Sequence, residues 1–146
     1  GDRHMYIDTV MIIWLVGALF GRMLFFALTV APTVFRTLSA DNAGLFLRKL
    51  FPGYYLWGLV IALLSAAIAM GTNAAVSVAL LLVALLFVFA RQTLMPLVNH
   101  ARDEELQGTP GAGRRFKYLH LSSVLVNGLQ LLLLLVVIGL LIQYNV

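Results

Sequence analysis

The feature that most constrains the fold is an uncharged stretch at residues 118–144, which contains no Lys, Arg, Asp or Glu. A helix rises about 1.5 Å per residue and satisfies its own backbone hydrogen bonds, so this stretch can cross a hydrocarbon core about 30 Å thick. The whole chain is similar in character, because 62% of its residues are hydrophobic, 11% are charged and the mean hydropathy is +0.97. A water-soluble domain could not cover so much apolar surface, so we predict an integral membrane protein.

Further apolar stretches predict an all-α fold, an integral membrane four-helix bundle that forms a single domain over residues 5–146. The expected spans cover about residues 7–34, 54–70, 74–98 and 118–143. We expect a short interfacial helix over residues 43–51, between the first and second spans, because Pro52-Gly53 separates it from the second span. Tyr54, Tyr55 and Trp57 are expected to anchor the second span at the headgroups. Residues 1–4 are read as a cloning remnant.

Basic residues are concentrated in two connectors, residues 36–49 and 91–117. The positive-inside rule predicts that both connectors are cytoplasmic and that the N- and C-termini lie outside, in what we expect to be a bacterial inner membrane. We attribute the excess of ten basic over six acidic residues to this topology and predict no nucleic-acid partner. The cluster Arg114-Arg115-Lys117 is expected to set the topology and to contact anionic lipid.

The last span carries polar residues at spacings of three, four and three, namely His120, Ser123, Asn127 and Gln130. At about 3.6 residues per turn these residues fall on one side of the helix. A polar stripe facing lipid would leave its donors and acceptors unpaired, so it should face other protein or a wet cavity. We therefore expect this stripe to form one wall of any binding site.

The first span contains Arg22 near its middle, after Gly17 and Gly21, whose spacing permits close helix approach. An arginine at that depth costs about 2.5 to 3.5 kcal/mol on insertion scales, so it should face the bundle or water and have a partner. No Asp or Glu lies between Asp8, at the outer end of the first span, and Asp41, so that partner must be a carbonyl, an amide, water or a bound anion. Arg22 either binds an anionic group or only holds the bundle together. By spacing, the same helix face also carries Thr29, Thr33 and Arg36.

The residues available for metal or cofactor binding are few. The chain has no cysteine, which excludes disulfides and thiolate metal sites, and His100 is the one histidine besides His120 outside the remnant. A tight metal site needs three or four ligands, so we predict no cofactor, with a metal ion or haem at His120 as the alternative. His120 is otherwise a proton relay or an interfacial histidine bonded to a neighbouring helix. No nucleophile with its base is recognisable, so an enzyme is not favoured.

Several short motifs occur in a characteristic order. They are Ala31-Pro32-Thr33-Val34-Phe35, Ala43-Gly44, Leu50-Phe51-Pro52-Gly53-Tyr54-Tyr55, Pro96, and Phe116 with Leu119-His120-Leu121-Ser122-Ser123 and Asn127. Together they resemble the transmembrane protein 205-like family, a four-helix membrane domain of unknown function related to the copper-resistance D group. The resemblance covers nearly the whole chain after residue 4. It implies the four-helix fold and, through the related groups, metal resistance or haem-associated oxidation.

These observations favour a small membrane protein that transports or binds an ion or small solute along the polar faces of the first and fourth helices. Its principal residues would be Arg22, His120 and Asn127, and a link to metal resistance is implied by the resemblance. The alternatives are a haem-linked membrane oxidoreductase and a structural or accessory membrane subunit. The expected partners are the lipid bilayer, the solute and further copies of the chain in a homo-oligomer.

Overall fold

A computed structural model describes residues 1–145, with the backbone alone at Tyr144 and Asn145. All regular structure in this range is helical, and four helical stretches are long and apolar enough to cross a membrane. The predicted all-α, four-span class is therefore confirmed. Val146, the last residue of the predicted domain, lies outside the described residues. The four stretches are Asp2–Thr37, Ala40–Ala69, Ala74–Leu106 and Ala112–Gln143.

The first and third stretches each contain a π-helical turn. The first consists of α1 (Asp2–Phe25), π1 (Phe26–Val30) and α2 (Ala31–Thr37), and the third of α4 (Ala74–Phe89), π2 (Ala90–Leu94) and α5 (Met95–Leu106). The second stretch is α3 (Ala40–Ala69) and the last is α6 (Ala112–Asn145). The helices therefore extend beyond the expected apolar spans.

A proline explains both π-helical turns. Pro32 and Pro96 each lie in the first turn of the helix after the π-helical turn. Proline has no N–H group, and in an α-helix its ring collides with the carbonyl group four residues earlier. A turn of the π type, in which the N–H of Ala31 bonds to the carbonyl oxygen of Phe26, gives the ring room. The first span therefore continues through Pro32 and does not end there.

Residues 43–51, which we expected to form a separate interfacial helix, are the first part of α3. Ser39 caps this helix by accepting a hydrogen bond from the N–H of Asn42 at 3.4 Å. Pro52 lies inside α3 and costs one backbone hydrogen bond, yet the helix does not end there. Packing of the rings of Phe51 and Tyr55, whose centroids are 5.3 Å apart, holds both sides of the proline in one helix.

The four spans form a ring of neighbours. α3 packs against α1 and α4, while α6 packs against α4, α5 and α1. The first and fourth spans, whose polar faces were expected to handle a solute together, are thus in contact. Small residues bring α3 and α4 together, and the hydroxyl of Ser77 donates a hydrogen bond to the carbonyl oxygen of Ala66 at 2.9 Å. Gly17 and Gly21, by contrast, lie on the exposed face of α1, outside these contacts.

At the basic end of the bundle the helices extend past the apolar region and are joined by ion pairs. Arg48 of α3 binds Asp103 of α5 at 2.8 Å. Arg115 of α6 pairs with Glu104 of α5. These pairs fix the ends of three helices to one another, which positions the residues one or two turns deeper.

Candidate functional site

Arg22 lies between α1 and α3 and takes both of its closest partners from one residue. Its Nη2 donates a hydrogen bond to the backbone carbonyl oxygen of Tyr54. Its guanidinium carbon lies 4.0 Å from the centroid of the Tyr54 ring. A carbonyl oxygen and an aromatic face are two of the few partners that a cation finds inside an apolar bundle. The side chain is half-buried.

The second terminal nitrogen of Arg22 is not satisfied. Among the described residues, Nη1 has no hydrogen-bond partner although it is buried. The sequence contains no acidic residue between Asp8 and Asp41, so no nearby carboxylate on α1 neutralises the charge. A buried donor without a partner costs roughly 1 to 3 kcal/mol, and more when it is charged. This nitrogen is therefore the polar group in the bundle with the most to gain from a ligand.

A glycine makes room for the guanidinium. A Cβ atom built on Gly58 would lie 2.9 Å from Nη1 of Arg22 and 2.7 Å from the ring of Phe87. Real Cβ atoms do not approach other atoms so closely. Gly58 thus lets Arg22 from α1 and Phe87 from α4 meet against the backbone of α3.

The two rings near Arg22, those of Tyr54 and Phe87, belong to a network of five rings in contact, which we call the aromatic cluster. The ring of Tyr54 has its centroid 5.1 Å from that of Phe26, and the ring of Tyr55 lies 6.4 Å from that of Phe87. Aromatic walls exclude water and so strengthen the electrostatic interactions of the cation. The cluster consists of Phe26, Phe51, Tyr54, Tyr55 and Phe87.

The polar residues of α6 do not share one wall. Gln130 is 1% exposed and donates from Nε2 to the carbonyl oxygen of Val83 on α4 at 3.1 Å. His120, ten residues earlier, is exposed. With 3.6 residues per turn, these two positions differ by about 80° around the helix, which separates the inward from the outward face. Ser123 and Asn127 are half-buried between them, and the Ser123 hydroxyl bonds to the carbonyl oxygen of Leu119 on its own helix at 3.2 Å.

Asn127 and Arg22 lie at a similar depth on neighbouring helices. The bond from Gln130 to Val83 sets the level of α6 against α4. Asn127 is three residues before Gln130 and Phe87 is four residues after Val83, so both lie about 5 Å closer to the basic end. Phe87 and Arg22 meet at Gly58, and α1 contacts α6. Asn127 is thus the amide of α6 that is level with the guanidinium.

The expected polar face of the first span is not formed. Arg22 faces α3, whereas Thr29, Thr33 and Arg36 are exposed. The reason is π1, which contains Thr29 and lies between Arg22 and both Thr33 and Arg36. One extra residue in a turn rotates everything after it by about 100° relative to a regular α-helix.

The two histidines lie apart from Arg22 and the aromatic cluster. The exposed His120 ring stacks on Phe116, with centroids 6.0 Å apart. His100 is exposed on α5, where its Nε2 lies 3.1 Å from Oε1 of Glu104. Within residues 1–145, no group of three or more His, Cys, Asp or Glu side chains is arranged to hold a metal ion.

A sequence model of a domain of unknown function, DUF4149, matches residues 14–107. The chain belongs to the DUF4149 family. No curated protein and no solved structure matches it. The DUF4149 match includes Arg22, Tyr54, Gly58 and Phe87, whereas Asn127 of α6 lies beyond it. The DUF4149 assignment and the four apolar helices together identify a membrane domain, and the family description gives no activity.

Sequence reasoning identified Arg22 but missed the residues that enclose it in this DUF4149 chain. Tyr54 and Tyr55 were expected at the headgroups, yet both are half-buried and pack within the aromatic cluster, whereas Trp57 is 66% exposed. One signal was available. Tyr54 and Gly58 are four residues apart, so on a helix a ring and a gap lie one above the other. Such a pair can receive a long side chain from a neighbouring helix.

Proposed function

We propose that this DUF4149 protein binds a small anion, or the acidic group of a small solute, beside Arg22 and carries it across the membrane. The observation that supports the proposal is the buried Nη1 of Arg22, which has no hydrogen-bond partner among residues 1–145. A ligand that drew the guanidinium away from Gly58 and accepted hydrogen bonds from it would remove the cost of this unpaired donor. Asn127, level with Arg22, is the second contact that we propose.

The half-buried state of Arg22 is compatible with a bound solute. A fully enclosed guanidinium would be out of reach of a solute. In a fully exposed one, water would already occupy the hydrogen-bond donors. The ring of Tyr54 supports the guanidinium from one side, so that its remaining donors keep a fixed direction. A preorganised cation binds an anion more strongly than a mobile one because less side-chain entropy is lost.

The finer parts of the sequence interpretation stay predictions. They are membership of the transmembrane protein 205-like family, a role in metal resistance, a haem at His120, an accessory-subunit role and a homo-oligomer. His120 has no part in the present proposal because it is exposed and lies about 10 Å nearer the basic end of α6 than Asn127. It therefore provides a control.

The test is isothermal titration of the protein in lipid nanodiscs with chloride, acetate and phosphate. We expect one of these anions to bind the unchanged protein and to bind Arg22→Gln at least about tenfold more weakly, because a hydrogen bond to a charged group is lost. Arg91→Gln removes the same charge from a residue that also bonds to α3, from Nε to the carbonyl oxygen of Pro52 at 3.2 Å. Arg91→Gln and His120→Ala should retain binding within about twofold.

Thermal unfolding of each variant separates binding from folding. Equal binding by the protein and by Arg22→Gln, or no binding by any folded form, would contradict the proposal. Flux of the bound anion into proteoliposomes then distinguishes transport from binding alone. Flux that Arg22→Gln abolishes supports a transporter, and a bound anion without flux replaces transport with a sensing or accessory role.

A further inference from the structure

The first turns of α6 carry an electrostatic conflict. This helix begins at Ala112 and has no acidic residue in its first turn, while Arg114, Arg115 and Lys117 come soon after. The N-terminal end of a helix carries the positive end of the helix dipole, so cations there are unfavourable and anions are favourable. An anion nearby would offset this cost, which is about 0.3 to 1 kcal/mol for a charge in the first turn.

One of the three cations has an anion within the chain. Arg115 pairs with Glu104. The other acidic residues of α5 are engaged too, since Asp103 binds Arg48 at 2.8 Å and Glu105 binds Arg102 at 2.7 Å. These pairs occupy every carboxylate that α5 offers.

Arg114 and Lys117 remain without such a partner. Both are exposed, and across residues 1–145 neither takes part in a salt bridge. Two cations at the positive end of a helix dipole, next to a membrane surface, should attract an anion from outside the protein.

The face of α6 below these cations suits a lipid. Tyr118 is 73% exposed, Leu121 is 53% exposed and Leu125 is 63% exposed. The spacing of three or four residues from Lys117 to Leu121 and from Leu121 to Leu125 places them in one column. The column thus passes from cations through an amphipathic ring to apolar side chains, which is the order of groups in a phospholipid.

We propose that Arg114, Lys117 and Tyr118 bind the phosphodiester headgroup of an anionic phospholipid, whose acyl chains pack along Leu121 and Leu125. The site lies at the basic end of the bundle, on the outward face of α6. It is separate from Arg22 and does not depend on the proposed transport function. Arg115 contributes less than its neighbours because Glu104 already neutralises it.

The test measures lipid preference by native mass spectrometry of the protein released from mixed phosphatidylglycerol and phosphatidylcholine. The double variant Arg114→Gln/Lys117→Gln should lose the preference for phosphatidylglycerol by about thirtyfold, since it loses two direct hydrogen bonds to the headgroup that contribute roughly fivefold each. Arg36→Gln/Lys49→Gln is the matched control, because it removes two other exposed cations and changes the net charge equally. That control and Arg115→Gln should change the preference by about threefold or less.

Three results would overturn the proposal. An equal loss in Arg36→Gln/Lys49→Gln would show only diffuse attraction between a basic protein and an acidic membrane. An unchanged preference in Arg114→Gln/Lys117→Gln would place the lipid elsewhere. Addition of inorganic phosphate separates a lipid site from a free-anion site, because displacement of bound phosphatidylglycerol by millimolar phosphate would also contradict a site that holds acyl chains. Circular dichroism of each variant checks that the helix content of the protein is unchanged.

Discussion

Arg22 shows how an apolar helix bundle accommodates one cation without a counterion in the chain. Tyr54 supplies a carbonyl oxygen and a ring face, and Gly58 supplies the space, so two residues one turn apart on α3 meet most of the needs of the guanidinium. What they leave unmet is Nη1. The arrangement depends on a missing methyl group at Gly58 as much as on any contact that is made.

This dependence gives a prediction for Gly58→Ala. The new methyl group would meet the Phe87 ring and Nη1 of Arg22 at distances below 3 Å. The ring is buried and cannot move aside, so we expect a net loss of about 1 to 2 kcal/mol of stability from overpacking. Thermal or denaturant unfolding in detergent measures this loss.

Gly53→Ala is the matched control on the same helix. No atom lies within 4 Å of a Cβ at Gly53, among the described residues. Alanine there should leave stability unchanged or raise it by up to about 1 kcal/mol, since alanine favours the helix. Equal stability in the two variants would mean that Arg22 and Phe87 do not pack against Gly58 as described.

For single residues, the sequence predicted which kinds of partner Arg22 needs. It did not predict which side chains of α6 face the interior of the bundle. The need of Arg22 for a carbonyl, an amide, water or an anion could be inferred because no acidic residue lies between Asp8 and Asp41, and a carbonyl oxygen is its partner. The periodicity of His120 to Gln130 gave the relative positions of four side chains but not which edge of the stripe faces inward. That choice depends on the packing of α6 against α4, which no local pattern encodes.

At the scale of the helices, two π-helical turns change the register of α2 and α5, the helices after them. Both precede a proline, Pro32 or Pro96, and both lie towards the basic end of their span. Pro32 made some irregularity predictable. Its form was not, because a proline can end a helix, kink it or be accommodated by a wider turn, and packing against the neighbouring helices selects among these.

The effect of π2 on the rotation of α5 can be tested by deleting Gln92, an exposed residue of that turn. Without the extra residue, α5 should rotate by about 100° relative to α4 and carry Asp103 away from Arg48. The chain has no cysteine, so Arg48→Cys/Asp103→Cys provides a clean pair for a short bis-maleimide cross-linker. We expect efficient cross-linking in the full-length background and little after the deletion.

Deletion of Pro110 is the control for that experiment. Pro110 is exposed in the loop between α5 and α6, so its loss should leave the contact between α3 and α5 in place. Cross-linking that survives deletion of Gln92 at the original yield would show that π2 does not set the rotation of α5.

For the whole molecule, hydropathy alone predicted the number of spans correctly, because a bilayer demands long apolar helices whatever their contacts. The order of neighbours was predictable only as an assumption, and the structure supports the contact between α1 and α6. The expected interfacial helix, by contrast, was predicted wrongly, because residues 43–51 are part of α3. Pro52-Gly53 favours a break locally, and the packing of aromatic rings on either side of it outweighs that preference.

The orientation inferred from the basic connectors gives a prediction for the whole molecule. A single cysteine in Gly71→Cys would lie in the turn between α3 and α4, and one in Thr109→Cys in the loop between α5 and α6. By the positive-inside rule, a membrane-impermeant maleimide should label Gly71→Cys in intact spheroplasts and Thr109→Cys only after permeabilisation. The reverse pattern would invert the topology.

The helices extend farther beyond their apolar spans at the basic end of the bundle than at the opposite end, and this has a practical consequence. The third span is expected to end near residue 98, so the eight residues that follow, to Leu106, rise about 12 Å above a hydrocarbon core about 30 Å thick. Headgroups fill only the lower part of that height. The tip, which is the loop of residues 107–111 between the ends of α5 and α6 that the pair of Arg115 with Glu104 joins, is therefore an epitope in water. A 16.0-kDa membrane protein is too small for single-particle imaging alone, and an antibody fragment raised against this tip would supply the missing mass and a fixed orientation.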